Sequence, residues 1–203
     1  MCCRYFLELS PELRPIVEEM NRSPLVRRFQ EHMAVHSSGE IRPTDVAPVI
    51  ASSRSGRRAV FPMKWGFTVP GRPTVINARA ETAGEKPLFR EAWKSHRCIV
   101  PASWYYEWEH LIRNDGKKET GGKYLLQAQG ANAVWMCGLY RMEEGLPAFV
   151  ILTREAAEPI RFIHDRMPLI LPEGQAEKWI RPDIPADPVA AAALTDMVFE
   201  KCG

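Results

Sequence analysis

The sequence predicts an α+β fold with a mainly antiparallel sheet at its centre, on three observations. Between residues 97 and 153, five short runs rich in β-branched and aromatic residues (97–100, 104–108, 123–129, 134–142 and 148–153) follow one another closely. Asn114-Asp115-Gly116 supplies a hairpin-type turn signal between two of them. Helical spacing of apolar residues is confined to short stretches on either side of this block.

Residues 10–36 open with Ser10-Pro11 and place Leu13, Ile16, Val17 and Met20 at the spacing of an amphipathic helix, and Ser23-Pro24 starts a second. Residues 59–67 read as a strand that ends in the loop Val69-Pro70-Gly71-Arg72-Pro73. Pro87 to Ser95 reads as a short helix with Pro in its first turn. After Thr153 a polar helix is expected up to Ile163-His164, then a strand over 167–171 and a helix over 172–180. With Pro182, Pro185, Pro188 and the alanine run 190–193, residues 182–203 are expected to be a loosely packed tail on a single domain of residues 1–203.

The 203 residues suffice to bury a core, and 45% hydrophobic with 26% charged residues excludes a disordered or fibrous chain. Five cysteines with no CxxC pair argue against a disulfide framework and a zinc ribbon. No metal and no cofactor are expected, and a reducing cytoplasm fits. The start MCCRYFLELS lacks a basic stretch followed by an apolar run, and nowhere do about 18 apolar residues follow one another. No membrane partner is expected. A net charge of +2 does not by itself announce a nucleic-acid binder. Local clusters would have to carry that role: Arg22, Arg27 and Arg28; Arg54, Arg57 and Arg58; Lys86, Arg90, Lys94 and Arg97.

Four residues have chemistry to offer. If Met1 is removed, Cys2 becomes a 1,2-aminothiol whose amine, with a pKa of about 8, is partly neutral at cellular pH. An aldehyde meeting this pair forms a Schiff base with the amine, and the sulfur then closes a five-membered thiazolidine. From position alone, Cys2 reads as a small apolar second residue. Glu107, in Trp104-Tyr105-Tyr106-Glu107-Trp108, either turns into a cavity as a general acid or sits half exposed on a strand. Asn77 interrupts the apolar run Val75-Ile76-Asn77-Ala78 and either orients a reacting group or ends a strand. His164, followed by Asp165, suits proton transfer or a helix end.

Several segments, in order, resemble the SRAP family, the SOS response-associated peptidase-like proteins that process abasic sites. They are Met1-Cys2 with Arg4, Asp45-Val46-Ala47-Pro48, Trp65-Gly66, Asn77-Ala78-Arg79 with Glu81-Thr82, Arg97-Cys98 leading to Tyr106-Glu107-Trp108, and His164-Asp165-Arg166-Met167-Pro168. The resemblance covers roughly residues 1 to 180. It implies a barrel-like closure of the sheet with short flanking helices. It also implies that Cys2 crosslinks to the ring-opened abasic sugar, that Asn77 positions the amine and sugar, that Glu107 acts as acid and base, and that His164 assists proton transfer. Arg79 and Arg4 would hold phosphates, Trp65 would stack a base, and Lys86 and Arg166 would complete the DNA contacts. Cys3 and Tyr105 stand where the family usually has Gly, and the family's usual C-terminal positions are not recognisable.

The implied partner is single-stranded DNA carrying an abasic site, bound by a cytoplasmic monomer that associates with the nucleoid when on DNA. Strand cleavage by β-elimination and self-processing of the N-terminus are expected side activities. Two other readings use the same residues: a cysteine or N-terminal-nucleophile peptidase acting through Cys2, Glu107 and His164, and a non-catalytic single-stranded nucleic-acid binding module.

Overall fold

A computed structural model describes residues 2–112 and 116–202. The chain starts with β1 (Arg4–Leu7), the helices α1 (Arg14–Asn21) and α2 (Leu25–Gln30), then β2 (Gly39–Ile41), β3 (Val46–Ser52) and β4 (Arg58–Trp65). β5 (Asn77–Arg79) runs into α3 (Ala80–Ala83), and α4 (Arg90–Ser95) precedes β6 (Arg97–Ala102), β7 (Trp104–Ile112), β8 (Lys118–Ala128), β9 (Val134–Glu143) and β10 (Leu146–Glu155). A 3-10 turn (Glu158–Ile160), β11 (Arg166–Pro168), β12 (Ile170–Leu171), α5 (Glu173–Ile180), α6 (Ala186–Ala190) and β13 (Met197–Lys201) follow. Asn114 and Asp115 of the expected hairpin turn lie outside the described residues.

The α+β class and the mainly antiparallel, barrel-like core are as expected. β3 pairs with β4 and β6, β6 with β9, β9 with β10, and β10 returns to β4, so five strands close on themselves. Only the β10–β4 junction of this ring is parallel; β5 then continues along β10, setting Asn77 opposite Ile151. Closure leaves no free edge on these strands, and their inward residues form the core. Gly138 on β9 marks a close approach: a Cβ there would lie 2.8 Å from the Val150 carbonyl and 2.9 Å from the Cys98 sulfur.

A second, antiparallel sheet runs in the order β13-β8-β7-β1-β2. Only Ser103 separates β6 from β7, and it ties the two sheets together. Its N–H donates to the Phe6 carbonyl at 2.8 Å, and its hydroxyl accepts the Glu8 N–H at 2.9 Å. α1 packs on β4 and β3 with Ile16, Val17 and Met20 buried, the face its spacing predicts.

Three expectations change. Residues 182–202 are not a loose tail: Ala186 and Val189 of α6 are buried, and β13 pairs with β8 over five residues. Met197-Val198-Phe199 is too short an apolar run to announce a strand by itself, and the strand is fixed by the sheet edge it joins. The polar helix after Thr153 shrinks to the three-residue 3-10 turn, because β10 extends to Glu155 and Pro159 lacks an N–H to donate. Arg97 is not part of a surface cluster. It is 3% exposed, its Nε donates to the Trp179 carbonyl at 2.6 Å, and its Nη2 donates to the carbonyls of Arg181 and Ile184.

Arg97 thus clamps the chain beyond α5 onto the barrel, with its guanidinium over the Trp179 ring. Arg97→Met, which keeps the stem, strands those carbonyls and should lower stability by about 2–4 kcal/mol. The urea midpoint checks the loss. Amide exchange in 182–201 should rise before it does in the barrel, and equal protection throughout would contradict the clamp.

Candidate active site

The start of the chain lies at the junction of the two sheets. β1 pairs with β7 in the register Arg4–Tyr106 and Tyr5–Tyr105, which carries Cys2 and Cys3 towards Glu107. Cys2 is fully buried, and its thiol donates to the Arg4 carbonyl across 3.6 Å. From the barrel side, Asn77 Nδ2 donates to the Cys2 carbonyl at 2.9 Å, while Asn77 Oδ1 is buried without a partner among the described residues. β5 therefore aims one amide at residue 2 and leaves it an acceptor to spare.

Burial pushes the Cys2 thiol well above its ordinary pKa, and the negative charges of Glu107 and Cys3 push the same way. The few per cent of thiolate expected of a free cysteine at neutral pH is thus suppressed while residue 2 sits in this setting. Tyr105, which replaces a usual Gly, is 1% exposed, with a hydroxyl close enough to feel the Cys2 charge.

Glu107 follows from the alternation of its strand. Ser103, Tyr105 and Glu107 are buried, whereas Trp104, Tyr106 and Trp108 are partly exposed. Glu107 is 3% exposed, and burial raises its carboxyl above the ordinary carboxylate range, with Asp165 adding to the effect. Glu107 is therefore buried and not half exposed.

His164 is buried next to Asp165, which is 84% exposed. The Arg166 N–H donates to His164 Nδ1 at 2.9 Å, and an Asp165 oxygen lies 2.7 Å from the same nitrogen. One Nδ1 cannot accept the first and donate to the second. The backbone donor is fixed by the turn and the exposed carboxylate is free to rotate, so Nδ1 is the acceptor and the neutral ring carries its proton on Nε2.

Burial first, and nearby cationic groups second, lower the His164 pKa from 6.5 to about 4. Its ring centroid lies 4.0 Å from that of His110, a residue with no motif to mark it in the sequence. A register shift between Trp108 and His110 on β7 re-aims the strand there, and no periodic pattern announces such a bulge.

A pH dependence of stability follows. Between pH 6.5 and about pH 4 the unfolded chain binds a proton at residue 164 that the folded chain does not. Stability should therefore fall as pH drops through that window, and this contribution should be flat above it. His164→Gln should flatten the slope in urea titrations at stepped pH; an unchanged slope would contradict a neutral buried ring.

The basic residues divide. Arg79 is exposed at the end of β5 and lines a cleft of about 670 Å³ with Arg154, Glu81 and Arg166. Arg166 is bound at both nitrogens by Glu81, at 2.7 and 2.8 Å, so its charge is already matched. Arg4 Nη1 donates to the Cys3 carbonyl at 2.8 Å, and its Nε lies 3.3 Å from Glu40. Lys86 is exposed in the connection between α3 and α4, outside these contacts.

Trp65 requires correction, because it cannot offer a face to a base. It is fully buried, with its ring 5.3 Å from Tyr5 and 6.1 Å from Phe149 and its Nε1 donating to the Ile76 carbonyl. The Trp65-Gly66 pair marks the end of a barrel strand, where an indole fills the core and its N–H is satisfied internally. Among the described residues, no three His, Cys, Asp or Glu side chains gather as a metal site, and no helix is long and apolar enough to cross a membrane.

At the junction of the closed barrel and the flanking sheet, Asn77 thus donates to the Cys2 carbonyl and the charge of Glu107 acts on the Cys2 thiol. The chain belongs to the SOS response associated peptidase (SRAP) family, which it matches over residues 1–201. It is 33% identical to the abasic site processing protein YoqW of Bacillus subtilis, over 90% of this chain and 81% of that one. Identity is 27% to the abasic site processing protein YedK of Escherichia coli, over 76% and 71%. A crystal structure of a Bacteroides thetaiotaomicron protein shares the fold at a TM-score of 0.73 and 22% identity, covering all of this chain and 92% of that one.

Proposed function

We propose that this chain processes abasic sites in DNA by bonding covalently to them through Cys2 once residue 1 has been removed. The convergence of Asn77 and Glu107 on residue 2 supports this most strongly, and the names of its relatives point the same way. A ring-opened abasic sugar offers an aldehyde. The Cys2 amine adds to it, water leaves, and a Schiff base forms; the thiol then adds across the C=N bond, its proton passes to nitrogen, and the thiazolidine closes.

The electrostatics give this sequence an order. A thiol held protonated by burial is a poor first nucleophile, so the amine attacks first. Glu107, its carboxyl raised above the ordinary range by burial, is the group to give a proton to the departing hydroxyl and then to take one from the thiol as it adds. Asn77 fixes the residue 2 carbonyl and presents its spare Oδ1 to the amine. His164, neutral at pH 7, offers its Nε2–H as a donor and is not an imidazolium. Arg79 and Arg4 hold flanking phosphates, and Arg166 serves chiefly to hold Glu81. Single-stranded DNA fits because its sugar is reachable without opening a duplex.

Incubating the protein with an oligonucleotide carrying one abasic site, followed by a denaturing gel, tests the reading. A shifted band that survives denaturant is expected. No band from protein whose mass shows residue 1 removed would overturn it, and steady turnover of peptides in its place would favour a peptidase.

A further inference from the structure

Over one face of the second sheet lie two aromatic rings that the fold leaves half exposed, Phe162 and Phe199, packed on a third, Tyr124, that is buried. Tyr124 on β8 is paired with Glu107 on β7 and with Lys201 on β13, so these three side chains share a face, and Phe199 shares it two residues along. Phe162, two residues before His164, leans on both rings. Its centroid is 5.8 Å from Tyr124 and 5.1 Å from Phe199, and Tyr124 lies 5.9 Å from Phe199, all at steep edge-to-face angles. Phe162 is 51% and Phe199 45% exposed, whereas Tyr124, at 7%, belongs to the buried core.

Cations frame the patch. Lys201 Nζ lies 5.9 Å from the Tyr124 ring, and its stem runs over Gly122, where a Cβ would come within 2.6 Å of Lys201 Cε. Arg161 is exposed beside Phe162. Exposed aromatic faces interleaved with cations suit an unpaired base between two phosphates better than they suit an apolar protein surface. The patch is also continuous with the candidate active site, through the Tyr124–Glu107 pairing and through the short step from Phe162 to His164.

We propose that Phe162 and Phe199, braced by the buried Tyr124, form a stacking platform for an unpaired nucleobase of the strand flanking the abasic site, with Arg161 and Lys201 on the adjacent phosphates. This rests on the abasic-site reading and adds to it. The lesion has no base of its own, so a neighbouring base supplies the stacking that holds the strand in place.

The test measures fluorescence anisotropy with single-stranded oligonucleotides that carry a non-reactive abasic analogue. In one the flanking positions bear bases; in the other they are baseless spacer sugars. The wild type should bind the first at least about five-fold more tightly. The double variant Phe162→Ala, Phe199→Ala should lose that preference, and Phe162→Trp should keep it. Both residues are half exposed, so thermal melting of the variants should stay near that of the wild type. The same preference in the double variant overturns the platform. So does concentration-dependent self-association that the variant loses while its DNA affinity is unmoved, because the patch would then be a contact between copies. If the wild type shows a Phe-dependent preference but forms no adduct with a true abasic site, the abasic-site reading fails and the platform stands.

Discussion

Cys2→Ala is expected to abolish the denaturant-resistant adduct altogether, not merely slow it. Both bonds of the thiazolidine come from residue 2, and the sulfur bond has no substitute. Cys3 does not rescue it, because its nitrogen is an amide and no second amine adjoins its thiol. Cys2→Ser should leave a more labile adduct, because an oxygen nucleophile closes the ring less readily. An unremoved Met1 or an acetyl cap should be as damaging as Cys2→Ala, since the thiol would survive but the amine would not. Time courses on denaturing gels, with intact-mass control of the N-terminus, separate these cases. A capped protein that crosslinks at the wild-type rate would show that the amine plays no part.

Glu107→Gln should slow adduct formation by about 10²- to 10⁴-fold, the usual reach of a positioned general acid and base. The amide keeps the shape of the carboxylate, and residue 107 sits in a buried position where a smaller side chain would leave a hole. The rate loss should therefore come without a matching loss in melting temperature. The pH profile supplies an independent check. Because Glu107 acts first as an acid and burial raises its pKa, the wild-type rate should fall as pH rises through a pKa above the ordinary carboxylate range, and the Gln variant should lack that limb. A variant that is slow but keeps the limb would move the acid–base role elsewhere, with His164 the next candidate.

Much of this was legible in the sequence, and the failures have physical causes. The central strands announced themselves through composition, and Glu107 through an aromatic alternation that only a strand makes useful. Asn77 stood out because an amide inside an apolar run must find a partner, and it finds the Cys2 carbonyl. Trp65 and Arg97 misled for a shared reason: an indole or a guanidinium looks like a surface tool until tertiary contacts satisfy its polar atoms. Backbone carbonyls do so for both, from Ile76 to Trp65 and from Trp179, Arg181 and Ile184 to Arg97. β13 could not be read locally because its pairing partner, β8, lies about 70 residues away in the chain. His110 was invisible because a bulge, not a motif, delivers it to His164.

The state of the Cys2 thiol is the largest change from the sequence reading. A free N-terminal cysteine would keep some thiolate at neutral pH, but burial raises the thiol at residue 2, which agrees with the amine-first order the sequence reading already gave. Amine-first attack also explains why a raised Glu107 is useful: the rate-sensitive proton transfers are loss of hydroxide from the carbinolamine and removal of the thiol proton, both at residue 2.

Mass spectrometry of the purified protein–oligonucleotide adduct tests the central claim most directly. The expected mass is that of the chain without Met1 plus the abasic oligonucleotide, less one water, with fragmentation placing the linkage on residue 2. An adduct that retains Met1, or one linked through any other residue, would contradict it.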